Sequence, residues 1–128
     1  GDGSFGFCGA ELETAARLGL KIVYVLFNNG AFGWIRGTQR VHSKAEITEN
    51  FRRFTDFAEV DYVKFAESMG IRGYRVGGMK EFEEVFKKCL AADGPSLINV
   101  PLPPEDRQLP PVPGWAAAKI AKDEDMTY

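Results

Sequence analysis

The chain has 128 residues, 45% of them hydrophobic and 27% charged, which suits one globular domain and excludes a disordered or fibrous chain. Its 16 Lys and Arg against 18 Asp and Glu leave a net charge of −2, so no basic field is available for nucleic acid or an anionic membrane. Two cysteines, Cys8 and Cys89, are too few for a disulfide scaffold, and no apolar run approaches the roughly 20 residues that cross a bilayer. With no basic-then-apolar leader, these features point to a cytoplasmic protein with reduced thiols.

The chain opens on Gly1-Asp2-Gly3-Ser4, a turn-like cluster that ordinarily follows a strand, so part of the domain is expected upstream. Phe7 to Leu18 reads as a helix with Leu12, Ala15, Ala16 and Leu18 on its apolar stripe, ended by Gly19. Lys21 to Phe27 is an almost unbroken β-branched and aromatic run, the pattern of a parallel strand covered on both faces. Asn28-Asn29-Gly30 stops it with turn residues.

From Ala31 to Phe57 the pattern weakens. A short helical turn over Phe32 to Arg36 and then a long polar connection are expected, the sort of stretch that serves as a lid or binding loop. Asp61 caps a helix running to Met69, closed by Gly70, and Tyr74 to Val76 form a short strand. Lys80 to Leu90 is an amphipathic helix with Phe82, Val85, Phe86, Cys89 and Leu90 inward. Asp93-Gly94-Pro95 turns into a last strand, Ser96 to Val100, and six prolines from Pro101 to Pro113 begin a surface tail that cannot extend a sheet. The predicted class is α/β: a parallel sheet with flanking helices, incomplete at its N-terminus, divided into an α/β domain over residues 1–101 and a proline-rich tail over residues 102–128.

Two motifs carry chemistry. Glycines beside a helix start let a backbone approach phosphate closely, but Asp2 would repel an anion unless a cation lay between them. Alone, Gly-Asp-Gly also reads as an ordinary turn, and the Asn pair as a capped one. In a parallel sheet, however, both segments fall on the edge where ligands bind. A carboxylate from Asp2, an amide oxygen from Asn29 and the next backbone carbonyl leave room on octahedral magnesium for two phosphate oxygens and one water.

Gly1-Asp2-Gly3, 24 intervening residues and Asn28-Asn29 resemble the motif of thiamine-diphosphate-dependent enzymes, the group that includes acetolactate synthases, 2-oxo-acid decarboxylases and related carboligases. GDGSFGFCGAELETAARLGLKIVYVLFNNGAFG, and later DYVKFAESMGIRGYRV through the strand ending at Val100, extend the likeness over about three quarters of the chain. The resemblance implies a thiamine-diphosphate-binding fold in which Asp2, Asn29 and the Ala31 carbonyl hold Mg²⁺. Gly1, Gly3 and Ser4 would meet the diphosphate, and Gly30 would shape the metal loop. It also implies that the activating glutamate and the aminopyrimidine site come from upstream domains and a second subunit of a homodimer or homotetramer. Glu11 and Glu13 do not match that role. FAD in a middle domain of the full-length protein belongs to the same set of expectations.

The loop after the metal site separates relatives. Decarboxylases that carry an acid in this loop place it at the position of Ile35, and an apolar residue there is closer to acetolactate synthase-like carboligases. Trp34 stands where synthases commonly have methionine, and Thr38 replaces their tryptophan before Gln39. The run Gly33-Trp34-Ile35-Arg36 with Gln39-Arg40 is also similar to glyoxylate carboligase. Trp34, Ile35, Arg36 and Gln39 are therefore the substrate-loop candidates. Arg36 and Arg40 read either as binders of a substrate carboxylate or as solvated loop charges, and His42 as a titrating loop group or a surface histidine. Trp115, in Val112-Pro113-Gly114-Trp115, reads either as packing simply against the domain or, by resemblance, as a terminal segment that folds over the active site in acetolactate synthases.

The implied activity is decarboxylation of a small 2-oxo acid followed by ligation to a second carbonyl. The alternatives are a simple 2-oxo-acid or oxalyl-CoA-type decarboxylase, and a non-catalytic cofactor-binding or structural fragment. No residue of this chain is expected to be catalytic by itself, and the isolated 128 residues are expected to be inactive.

Overall fold

A computed structural model describes residues 1–43 and 48–104. Contacts divide the chain into two compact units, the first made of Gly1–Gly30 with Phe57–Leu102, the second containing Ala31–Asp56.

The first unit is a three-stranded parallel sheet of β1 (Val23–Asn28), β2 (Arg72–Arg75) and β3 (Ser96–Pro101), in the order β1-β3-β2. Ser96 is level with both Val23 and Arg72, and the β1 pairing runs on to Asn28 opposite Pro101. The last strand thus reaches one residue further than expected, because Pro101 needs no N–H to close the register, and the following Leu102 N–H donates to the Asn28 carbonyl at 2.7 Å.

Alternation along β3 divides the core. Leu97 packs with Leu12, Leu26, Tyr62, Ala66 and Ile71, whereas Ile98 packs with Val76 and Cys89 and is flanked by Phe82 and Phe86. Four of the six β3 residues are buried, as expected for a central strand, whereas in β1 only Leu26 is buried, four residues are half-buried and Phe27 is 51% exposed. The sequence reading had both faces of β1 covered. Its place at the edge of the described sheet accounts for the difference.

The predicted helix over Phe7 to Leu18 is replaced by two, α1 (Asp2–Cys8) and α2 (Glu11–Arg17). Helical bonding starts at the Gly1 carbonyl, which accepts from Phe5 N–H at 2.9 Å, so Asp2 is already a helical residue and the Gly-Asp-Gly segment is not a free turn. The interruption at Gly9 and Ala10 is shallow, since both keep right-handed helical angles. A Cβ at Gly9 would lie 3.1 Å from the Phe5 ring and 3.2 Å from the Phe65 ring, so glycine is what lets the chain pass under these aromatics.

The second unit departs most from expectation. In place of a polar connection it holds α3 (Gly33–Ser43) and α4 (Glu49–Thr55). Thr48 starts α4 by accepting the Phe51 N–H on its hydroxyl at 3.2 Å, with Glu49 in the first turn favouring the helix dipole.

Back in the first unit, α5 (Tyr62–Ser68) and α6 (Met79–Ala91) match the predicted helices to within a residue or so. The Asp61 carboxylate caps α5 by accepting from Val63 and Lys64 N–H, each at 3.1 Å. These bonds, the Lys64 amide first, hold its carboxyl below the ordinary range. No described helix is long and apolar enough to cross a membrane.

Candidate functional site

The first unit joins the two motifs directly. Asp2 is 4% exposed at the start of α1, and its carboxylate accepts the Gly3 N–H at 3.1 Å and the Gly30 N–H at 2.7 Å. The start of α1 is therefore held against the loop that leaves β1, the bonded residues being 28 positions apart in sequence. A Cβ on Gly1 would sit 3.4 Å from the Phe27 carbonyl oxygen, which records the same close approach.

The loop is shaped locally. Asn28 Oδ1 accepts the Gly30 N–H at 3.0 Å, an Asx turn, so one amide is shared between Asn28 and Asp2. Gly30 has φ +71°, a left-handed conformation that glycine adopts without strain. Asn29 is half-buried between these two residues, and Gly3 is half-buried with Ser4 exposed beside it.

Aromatic packing fixes the floor of the site. Phe5 meets Tyr62 edge-on at 5.6 Å and Phe65 at 5.8 Å, pinning α1 to α5. Burial raises the Tyr62 phenol above its ordinary pKa, and the Asp2 negative charge raises it further. In the sequence Tyr62 is only the residue that follows the Asp61 cap. Its hydroxyl, electrostatically coupled to Asp2, had no local signal.

In the second unit Ala31 forms an antiparallel bridge with Asp56, and the Phe32 N–H donates to the Thr55 carbonyl at 2.8 Å. Trp34 and Ile35 lie in the first turn of α3, 51% and 52% exposed, and Gln39 is exposed one turn on. Arg36 is not the solvated loop charge that its polar neighbourhood suggested. It is 3% exposed and forms an ion pair with Asp56. Asp56 was missed by sequence reasoning, since a partner 20 residues away follows no helical or strand spacing. The side chains of Arg40 and His42, and Trp115, lie outside the described residues.

The donor chemistry fits magnesium. Among the described residues no group of three or more His, Cys, Asp and Glu side chains is positioned to hold a metal. Within the first unit, the buried Asp2 carboxylate and the half-buried Asn29 amide offer side-chain oxygens with a single negative charge, the donor type that hard Mg²⁺ shares with phosphate and water, and they lack the imidazole or thiolate ligands preferred by zinc.

A parallel α/β sheet with a buried aspartate bonded to the glycine-shaped asparagine loop at the end of β1 is the arrangement in which this class of fold places its ligands. The chain belongs to the thiamine pyrophosphate enzyme family: the family model described as "Thiamine pyrophosphate enzyme, C-terminal TPP binding domain" matches residues 1–100. Among curated relatives, acetolactate synthase of Bacillus subtilis (strain 168) is 34% identical over 103 residues, 80% of this chain and 17% of that protein. The 3D-(3,5/4)-trihydroxycyclohexane-1,2-dione hydrolase of Bacillus velezensis is 33% identical over 106 residues, 82% of this chain and 17% of its own length. Among solved structures, the thiamine diphosphate-dependent 4-hydroxybenzoylformate decarboxylase of Rhodococcus jostii RHA1 aligns with TM-score 0.72 and 34% identity, covering 81% of this chain and 19% of that one. The chain thus spans less than a fifth of the length of these relatives.

Proposed function

We propose that this chain is the thiamine diphosphate- and Mg²⁺-holding part of a larger acetolactate synthase-like enzyme that decarboxylates a 2-oxo acid and joins the product to a second carbonyl. The observation that carries the proposal is the 2.7 Å bond from Gly30 N–H to the Asp2 carboxylate, which joins the two halves of the expected metal motif in one place. When bound, thiamine diphosphate supplies the electron sink for cleaving the bond to the departing carboxylate.

The work of this chain is binding and orientation. Asp2 and Asn29 hold the metal through side-chain oxygens and Ala31 through its carbonyl. The Gly3 and Ser4 segment faces the diphosphate, where backbone amides meet negative oxygens without a Cβ at Gly3. The exposed faces of Trp34 and Ile35 support a role beside the substrate, and their apolar character helps keep water from the reacting carbons. The activating glutamate and the aminopyrimidine pocket are assigned to upstream domains and a partner subunit; the small share of each relative that this chain covers leaves room for such domains.

A simple decarboxylase is the second reading, favoured by the structural likeness to the Rhodococcus enzyme. Product analysis of the intact protein fed pyruvate, with Mg²⁺ and thiamine diphosphate, separates the two. Acetolactate supports ligation, and free acetaldehyde alone supports the second reading. Asp2→Ala should abolish Mg²⁺-dependent quenching of tryptophan fluorescence by thiamine diphosphate. Retained quenching would remove Asp2 from the metal site and with it the basis of the proposal.

A further inference from the structure

We infer that Asp56 and Arg36 are positioning residues for the metal loop: their ion pair, in which the guanidinium is buried and the carboxylate stays 38% exposed, locks the backbone bridge that presents the Ala31 carbonyl. The inference rests on the reading of Ala31 as a carbonyl ligand and names what holds that carbonyl in place.

Three consecutive residues, Thr55, Asp56 and Phe57, pair with Phe32, Ala31 and Gly30 in antiparallel order. Within the second unit, Phe32 N–H donates to the Thr55 carbonyl at 2.8 Å and Ala31 bridges Asp56. Within the first unit, Phe57 N–H donates to the Gly30 carbonyl at 2.8 Å. Two flanking residues of a metal loop are thereby fixed by backbone bonds to a segment distant in sequence. So short a bridge has little strength by itself, and side chains at Asp56 reinforce it.

The Asp56 carboxylate is the common acceptor. Arg36 Nη1 donates to its Oδ1, Thr55 Oγ1 donates to the same oxygen at 3.3 Å, and Arg52 Nη1 lies 3.8 Å from Oδ2. The backbone is tied at both ends of the pair. Asp56 N–H donates to the Arg52 carbonyl at 2.7 Å, and Arg36 N–H donates to the Phe32 carbonyl at 2.9 Å. A guanidinium only 3% exposed loses most of its hydration, so it strongly favours the arrangement that keeps a carboxylate beside it. That arrangement is also the one in which Ala31 and Asp56 are bridged. Arg36 is thus occupied inside its own unit, which assigns it to support of the metal loop in preference to binding a substrate carboxylate.

The test is a MgCl₂ titration of the intact protein at saturating thiamine diphosphate, read by tryptophan fluorescence, with wild type, Asp56→Asn and Asp56→Glu. Asparagine keeps the volume and the backbone bridge but removes the charge. Outer-shell changes of this kind weaken metal affinity by about 10- to 100-fold, and Asp56→Asn should raise the Mg²⁺ half-saturation by that factor. Asp56→Glu should recover part of the loss. An unchanged half-saturation in a folded Asp56→Asn protein would overturn the inference while leaving the proposed function intact.

Hydrogen exchange on the wild-type protein gives a second readout that needs no variant. Coupling is reciprocal, so MgCl₂ with thiamine diphosphate must slow exchange at the Phe32 and Phe57 amides more than at amides in the middle of α6. Equal effects at the three places would also overturn it. Failure of the wild type to bind thiamine diphosphate in a Mg²⁺-dependent way would instead sink the cofactor reading itself, and the positioning role with it.

Discussion

Asp2 is a buried acid whose two oxygens are each met by a backbone amide, one from its own helix and one from the loop across the strand ends. Much of this was legible in the sequence, because Asp2, Asn28 and Gly30 follow local rules: an acid at a helix start, an Asx turn, a left-handed glycine. Arg36, Asp56 and Tyr62 were not legible as site residues. Their roles arise from partners brought together by tertiary packing, and nothing in their neighbours' spacing announces them. Tyr62 gives a pH test. Its phenol holds its proton more tightly in the folded protein than at the ordinary value of 10.0. Its contribution is therefore fully present below that pH and is lost as pH rises through the folded value. Tyr62→Phe should flatten the alkaline fall in urea midpoint above about pH 10, and an identical fall in both proteins would remove Tyr62 as its source.

Among the elements, the helices with strong apolar periodicity and a visible cap were placed from sequence, as α5 and α6 illustrate. The second unit was not, because α3 carries Gly33, Gly37 and Thr38, residues that blur the helical pattern. Thr48 is a sound start signal, but the polar run around it hid the helix it begins. Contacts between elements were less visible still. A Cβ at Gly73 in β2 would stand 2.8 Å from the Val63 carbonyl oxygen and 2.9 Å from Val63 Cα, so β2 passes against the start of α5 at a distance only glycine allows. Both neighbours are backbone and cannot swing aside. Gly73→Ala should destabilise the protein by roughly 1–3 kcal/mol, the range for overpacking, measured by urea unfolding. A cost near zero would mean that α5 shifts freely along the strand.

For the molecule as a whole, the parallel α/β class was readable from the alternation of helix and strand. The order β1-β3-β2 was not, since no periodicity says which strand lies in the middle. β3 holds both cores together: Leu97 faces one and Ile98 the other, both 0% exposed. Ile98→Ala should cost about 2–5 kcal/mol by leaving a cavity between the sheet and α6, visible as a lower urea midpoint. A smaller loss would indicate that Val76 and Phe86 close the space.

Among the described residues, none that builds these two cores comes from Ala31–Asp56. Substitutions at the exposed positions of that stretch, Trp34 and Ile35 among them, can thus change the surface it presents with little effect on the sheet. One inherited scaffold can in this way serve lineages as different as a synthase, a hydrolase and a decarboxylase. New side chains at exposed positions such as Trp34, Ile35 and Gln39 leave both the cores and the Arg36–Asp56 pair as they were.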